Sequence, residues 1–258
     1  MSSPTATVTE TALVGWALES PGRGTLSLIT SCLFTIFLCT WVVIHPRVYK
    51  RRLFGRLHKF ALFLKVLIAP QFIAVEGLQE WSQARKVVKD CKDLTGEQLK
   101  LVHAFYIGML ALKYRTPLGE RVVWPNQFIW LLEQDLIDWK DHTLWGLSEG
   151  SIHDKSNADS AVELAVVCQV SWFVAEYIVR ACHSLPLSQL ETMTLSYIPL
   201  FVITYFFWWL KPKDVITASV VELPKMLPEQ KAIFESMAIS TVFDDEGIGK
   251  QDSLWTIW

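Results

Sequence analysis

Thr25-Leu-Ser-Leu-Ile-Thr-Ser-Cys-Leu-Phe-Thr-Ile-Phe-Leu-Cys-Thr-Trp-Val-Val-Ile44 runs for 20 residues without a charge. At about 1.5 Å rise per residue, a helix of this length spans the roughly 30 Å hydrocarbon core of a bilayer. A basic run follows directly: Arg47, Lys50, Arg51, Arg52, Arg56, Lys59 and Lys65, against Arg23 alone just before the stretch. Basic flanks stay cytosolic, so residues 1–23 are expected on the outer or lumenal side and the chain from His45 onward in the cytosol. The stretch is longer than the apolar core of a signal peptide, has no basic region before it and ends in Ile44-His45-Pro46 instead of small residues. It reads as a retained reverse signal anchor.

Working outward, 258 residues with 51% hydrophobic side chains and 12 Trp describe a small multi-pass membrane protein that keeps a polar part. The expected fold is all-α: a multi-pass helical membrane protein with a cytosolic helical connection. The net charge of −2 carries no message about partners, because basic residues cluster near the first span and acidic ones lie elsewhere. Nucleic-acid binding has no support. The cysteines at 32, 39, 91, 168 and 182 show neither zinc nor disulfide spacing and read as small packed hydrophobes. No metal and no cofactor is expected.

Residues 1–23 form the outer segment and 24–44 the first span. A cytosolic and membrane-surface region follows over 45–158. Within it, Phe60 to Val75 is apolar but carries Lys65 and Pro70, which suits a kinked interfacial or re-entrant helix continuing into the amphipathic stretch Glu76 to Lys89. Asp93 to Glu97 reads as a turn. His103 to Leu112 is a short apolar helix expected to pack rather than cross, and Gln127 to Trp139 a surface helix among Pro and Gly breaks.

Residues 159–212 read as two membrane helices in a hairpin, over about 161–182 and 189–210, each opening with a capping box, Ser160-Ala-Val-Glu163 and Ser188-Gln-Leu-Glu191. Trp208-Trp-Leu-Lys-Pro212 supplies an aromatic belt, a basic flank and a helix stop. In the first helix Gln169, Glu176 and Arg180 fall within about 60° of one another, a polar stripe expected to face protein, with Glu176 and Arg180 at ion-pair spacing. The tail, 213–258, is expected in the cytosol. Counting the less certain stretches, two to five spans fit.

Carboxyls on membrane helices are functional candidates because an unpaired charge there is costly. Glu76, Glu176 and Glu191 qualify. Asp154 and Asp159 stand in Ile152-His-Asp-Lys-Ser-Asn-Ala-Asp159. There they either hold a cation with His153 or merely cap and solvate, while Lys155 is the alternative contact for a phosphate. These five are the candidate acids for a reaction that protonates a lipophilic molecule. No nucleophile elbow, P-loop, dinucleotide fingerprint or histidine box is present, which removes the usual support for hydrolase, ATPase, dehydrogenase and di-iron chemistry.

Pro21-Gly-Arg-Gly-Thr25, Ser31 to Trp41 with His45-Pro46, Ile152 to Asp159, Gln169-Val-Ser-Trp-Phe173, Arg180, Leu185-Pro186, Leu190-Glu191 and Trp208 to Pro212 together resemble a large group of mostly uncharacterised fungal integral membrane proteins. The resemblance covers about 21–215. The chain departs from it at Arg47, where the group commonly has Asn, and at Asn157, where it commonly has Lys. The resemblance implies a fungal source and a membrane location, with the endoplasmic reticulum the expected compartment. Some relatives resemble accessory genes of specialised-metabolite pathways. Two functions follow as expectations: a tailoring or accessory component of such a pathway, cofactor-free cyclase or isomerase chemistry included, or a non-catalytic scaffold, sensor or transport accessory. The expected partners are the bilayer, a lipophilic small molecule and other membrane helices.

Overall fold

The computed structural model describes residues 24–44, 48, 52–117, 119–156, 160–215 and 217–239. His45, Pro46, Arg47 and Asp159 lie outside the described residues, as do the segment 1–23 and the end of the tail. The elements are α1 (Thr25–Val43), α2 (Arg52–Ile68), α3 (Gln71–Asp90), α4 (Leu101–Gly108), β1 (Leu112–Thr116), β2 (Gly119–Val122), α5 (Pro125–Glu133), α6 (Glu149–Lys155), α7 (Ser160–Cys182), α8 (Gln189–Phe207), β3 (Ser219–Val221) and α9 (Pro228–Ser236). A single 3-10 turn, Trp139–Asp141, precedes α6.

Three of the described helices are long and apolar enough to cross a membrane: α1, α7 from Val162 on, and α8. The face that α1 buries, Cys32, Thr35, Ile36, Cys39, Thr40 and Val43, recurs at helical spacing, and this face packs between α7 and α8. The two legs of the expected hairpin touch each other little; α1 is the post that joins them. At one end Cys32, Phe173 and Ile198 close a small cluster with Leu28 and Leu190. Hydroxyls inside these helices return to their own backbone, Thr40 to the Ile36 carbonyl at 2.7 Å and Thr204 to the Leu200 carbonyl at 2.8 Å. In hydrocarbon no water would satisfy them.

At the other end α4, α5, α6 and the sheet form a polar-surfaced head around Tyr106, Phe128, Leu131 and Ile152, all fully buried. The short apolar helix expected near His103 is α4, and it packs as expected. The sheet is absent from the all-α expectation. β1 pairs antiparallel with β2 through the Pro117 turn, which Thr116 Oγ1 closes by donating to the Gly119 carbonyl at 2.7 Å. β3 adds in parallel to β1 from 100 residues downstream, giving the order β2-β1-β3. α9 then clasps the head: Phe234 is buried against Tyr114 and Trp130, Gln127 Nε2 donates to the Phe234 carbonyl at 2.8 Å, and Asn126 Nδ2 to the Met237 carbonyl at 2.6 Å.

Candidate functional site

The kinked helix expected from Lys65 and Pro70 is a bent pair. α2 and α3 change direction by 120° across Ala69-Pro70. Pro70 cannot donate the amide that would continue α2, and the chain restarts as α3. α2 carries Leu53, Leu57, Phe60, Leu64 and Leu67 on an exposed face, with His58, Leu62 and Val66 turned inward. At the apex the Tyr197 hydroxyl donates to the Leu67 carbonyl at 3.0 Å. Tyr197 lies about ten residues, or roughly 15 Å, inside α8 from its head-side end, half the depth of a hydrocarbon core. From the apex α3 returns beside α8. Gly77 makes that approach close, since a Cβ there would stand 3.4 Å from Thr204 Cγ2, and Trp81 meets Phe207 at 5.6 Å between ring centroids.

Charges line this wedge in pairs. Lys65 Nζ bonds Glu76 Oε1 across the inner angle, with Glu76 8% exposed. One turn along α3, Glu80 meets Lys211 at 2.5 Å. The segment after α8 is the junction for three helices: Lys211 holds α3, Lys213 binds Glu163 of α7, and Asp214 meets Lys59 of α2 at 2.8 Å. Aromatic faces back the same cations, with Lys211 4.2 Å from the Trp208 ring and Lys213 4.8 Å from Tyr205. Lys211, expected as a basic flank to the membrane surface, is instead 4% exposed.

Beside the junction, where α3, α4 and the end of α8 meet, lies a half-open groove of about 420 Å³. Its walls are Trp81, Leu101, Phe105, Phe206, Phe207, Trp209 and Leu210, all apolar or aromatic, and no carboxyl lines it.

The candidate acids are dispersed. Glu76 is in the wedge. Glu191 caps α8 at the opposite end: its Oε2 accepts from the Ser188 amide and hydroxyl, each at 2.9 Å, while its own amide donates to Ser188 Oγ at 3.2 Å. This second capping box forms as expected. In the first, Glu163 is taken by Lys213 and by the Tyr205 hydroxyl at 3.0 Å. Arg180, which the sequence pairs with Glu176, reaches across to α8, with Nε 3.7 Å from Glu191 Oε1 and Nη2 donating to the Pro186 carbonyl at 2.8 Å. Gln169 Nε2 donates to Thr35 Oγ1 of α1 at 3.0 Å, so this stripe does face protein. Glu176 is half-buried on α7.

Asp154 is exposed on the last turn of α6, which Ser148 caps by accepting from the Ser151 amide. Ile152 to Lys155 of that stretch is therefore helix. Its Lys155 is half-buried on the last turn of α6, away from a helix N-terminus: Nζ donates to Ser219 Oγ at 2.6 Å, with the Tyr106 hydroxyl 2.9 Å from the same oxygen.

The head holds one strongly shifted imidazole. His103 is buried, accepts from the Lys100 amide at Nδ1 (2.9 Å) and stands edge-on to Trp139 at 5.2 Å. Burial pushes it down to about 4, and it is neutral at physiological pH. Cys91, fully buried, has its thiol pushed up to about 12, chiefly by desolvation, and is inert as a nucleophile.

Lys65 was visible in the sequence as an interruption, but Glu80, Glu163, Lys211, Lys213 and Asp214 were not candidates. Glu163 and Lys211 were read only as a cap and a flank, and the true partners lie 50 or more residues away.

The model of a family of unknown function, DUF8562, is similar to this chain over residues 136–248. That region holds α6 to α9 and Lys211, Lys213 and Asp214, whereas Glu80 and Lys59 precede it. No curated protein and no solved structure matches the chain.

Proposed function

We propose that the chain is an integral membrane accessory protein of a fungal specialised-metabolite pathway, seated in the endoplasmic reticulum. In this reading α1, α7 and α8 cross the bilayer, the α2–α3 wedge enters and leaves on the head side, and the head faces the cytosol with residues 1–23 in the lumen. Its work is to hold a lipophilic intermediate or a partner helix at the membrane. The observation that carries a non-catalytic role is the dispersal of the acids: Glu76 and Glu191 are bonded within the protein at opposite ends of α8, Asp154 is on the head, and the groove has no carboxyl.

A second reading, a cofactor-free cyclase or isomerase, draws on one feature, a buried Glu76 inside the wedge. Deletion of the gene, with wild type, Glu76→Gln and Glu191→Gln restored at matched protein levels, separates the two. An accessory role predicts that both variants clear the metabolite block. Failure of Glu76→Gln alone, with the protein still present, favours the enzyme.

Orientation has its own test. Cys182 is exposed at the far end of α7, Cys32, Cys39 and Cys91 are buried, and Cys168 is exposed midway along the helix. A membrane-impermeant maleimide should label Cys182 only after sealed microsomes are opened. Labelling of intact vesicles would invert the topology.

A further inference from the structure

The groove has a charged extension that no carboxylate among the described residues neutralises. Trp81, Arg85 and Lys89 follow one another at i, i+4 and i+8 along α3, so a single stripe runs from the groove wall toward the C-terminal end of that helix. The Arg85 guanidinium lies 4.7 Å from the centroid of the Trp81 ring. Arg85 and Lys89 are exposed, and among the described residues neither has a carboxylate within ion-pair distance. This contrasts with Lys59, Lys65, Lys211 and Lys213, all of them paired.

The groove opens beside Phe206 and Trp209, 70% and 66% exposed at the head-side end of α8, where the membrane reading puts the boundary between acyl chains and headgroups. Its 420 Å³ is within the roughly 300–1,000 Å³ of ordinary ligand sites. An apolar, aromatic trough at acyl-chain level, continued by two free cations at headgroup level, has the polarity of an anionic lipid.

We infer that the groove between α3, α4 and the end of α8 is a binding site for an anionic phospholipid of the cytosolic leaflet. The acyl chain lies against Trp81, Phe105 and Phe206, and the phosphate is held by Arg85 and Lys89. Arg85, supported on Trp81, presents its fork to the phosphate oxygens, and Lys89 adds a point charge one turn on. The inference rests on the proposed membrane insertion but not on the proposed pathway role.

The test uses the full chain, first as expressed in microsomes and then purified in a non-ionic detergent, equilibrated with an equimolar mixture of phosphatidylcholine and phosphatidylglycerol and examined by native mass spectrometry. The chain should resist alkaline carbonate extraction and then retain one phosphatidylglycerol in preference to phosphatidylcholine. Arg85→Gln and Lys89→Gln should each weaken that preference about fivefold, and together abolish most of it. Leu101→Trp, which fills the groove, should displace both lipids. Equal retention of the two lipids by wild type, or an unchanged preference in the double variant, overturns the inference and leaves membrane insertion standing. Release of the chain by carbonate overturns both.

Discussion

The membrane-directed half of this protein and its head solve the problem of buried polarity in opposite ways. In α1 and α8 the hydroxyls of Thr35, Thr40, Thr194 and Thr204 bond their own helices, and ion pairs between helices gather toward the helix ends. In the head, several neutral polar groups are buried on hydrogen bonds: His103 on an amide, Gln127 on the Phe234 carbonyl, and Tyr106 on Ser219, which Lys155 also reaches. The difference teaches where each half is vulnerable. The half built on the long apolar helices depends on charge partners, because in the proposed bilayer setting a charge stripped of its partner would have little water to turn to. The head depends on keeping its imidazole neutral, because burial outweighs the attraction of the nearby Glu149 carboxylate.

The sharpest way to break this contrast is at the junction. Lys211→Ala leaves Glu80, whose side chain is only 13% exposed, without its cation and should cost about 3 kcal/mol, seen as a lowered unfolding temperature in detergent. Pairing it with Glu80→Leu should recover most of the loss. If the single variant is as stable as wild type, the ion pairs are ornaments of the junction and not its fastening.

The head should respond to pH instead. The folded His103 titrates near 4, below its ordinary value of 6.5, so the stability owed to its neutral form is complete above 6.5 and is lost as pH falls from 6.5 toward 4. The total is about 3 kcal/mol. Unfolding of the head followed by hydrogen exchange over 101–108 should show this acid limb, and His103→Gln, which can still accept the Lys100 amide, should flatten it.

Smaller effects sharpen the same comparison within the membrane half. Ser188→Ala removes the cap of α8 and should cost about 1 kcal/mol, loosening the end of the hairpin far from the head. Gln169→Leu breaks the bond to Thr35 and should cost only about 0.6 kcal/mol, since an interhelical hydrogen bond between neutral groups is worth little in a membrane. A loss as large as that of Lys211→Ala would place α7 among the structural supports of α1 rather than at the edge of the bundle.

Much of the half that carries the candidate spans was legible in the sequence because its signals are local. Twenty uncharged residues, a proline after Lys65, and Ser188 three residues before Glu191 each state a helix, a break or a cap without reference to the rest of the chain. The head was less legible. Leu112-Lys-Tyr-Arg-Thr116 does alternate and is followed by a Pro-Leu-Gly turn, a hairpin signal that a helical reading of the whole chain passes over. Ser219-Val-Val221 is too short to announce a strand, and its partner is a hundred residues away. Glu76 and Glu191 were chosen for the cost of a charge in hydrocarbon, yet each meets a cation from another helix, Lys65 of α2 and Arg180 of α7.

The sequence by itself determined which helices are apolar enough to cross a membrane, where the α2–α3 pair must bend, and how α8 is capped, because hydrophobic length, the missing proline amide and a serine hydroxyl act within a few residues. Only the tertiary structure decided that α1 stands between the legs of the hairpin, that Lys211, Lys213 and Asp214 each fasten a different helix, and that Arg85 and Lys89 meet no carboxylate among the described residues. Those outcomes depend on which charges lie within a few ångströms after folding, a matter of distance in space that spacing along the chain does not contain.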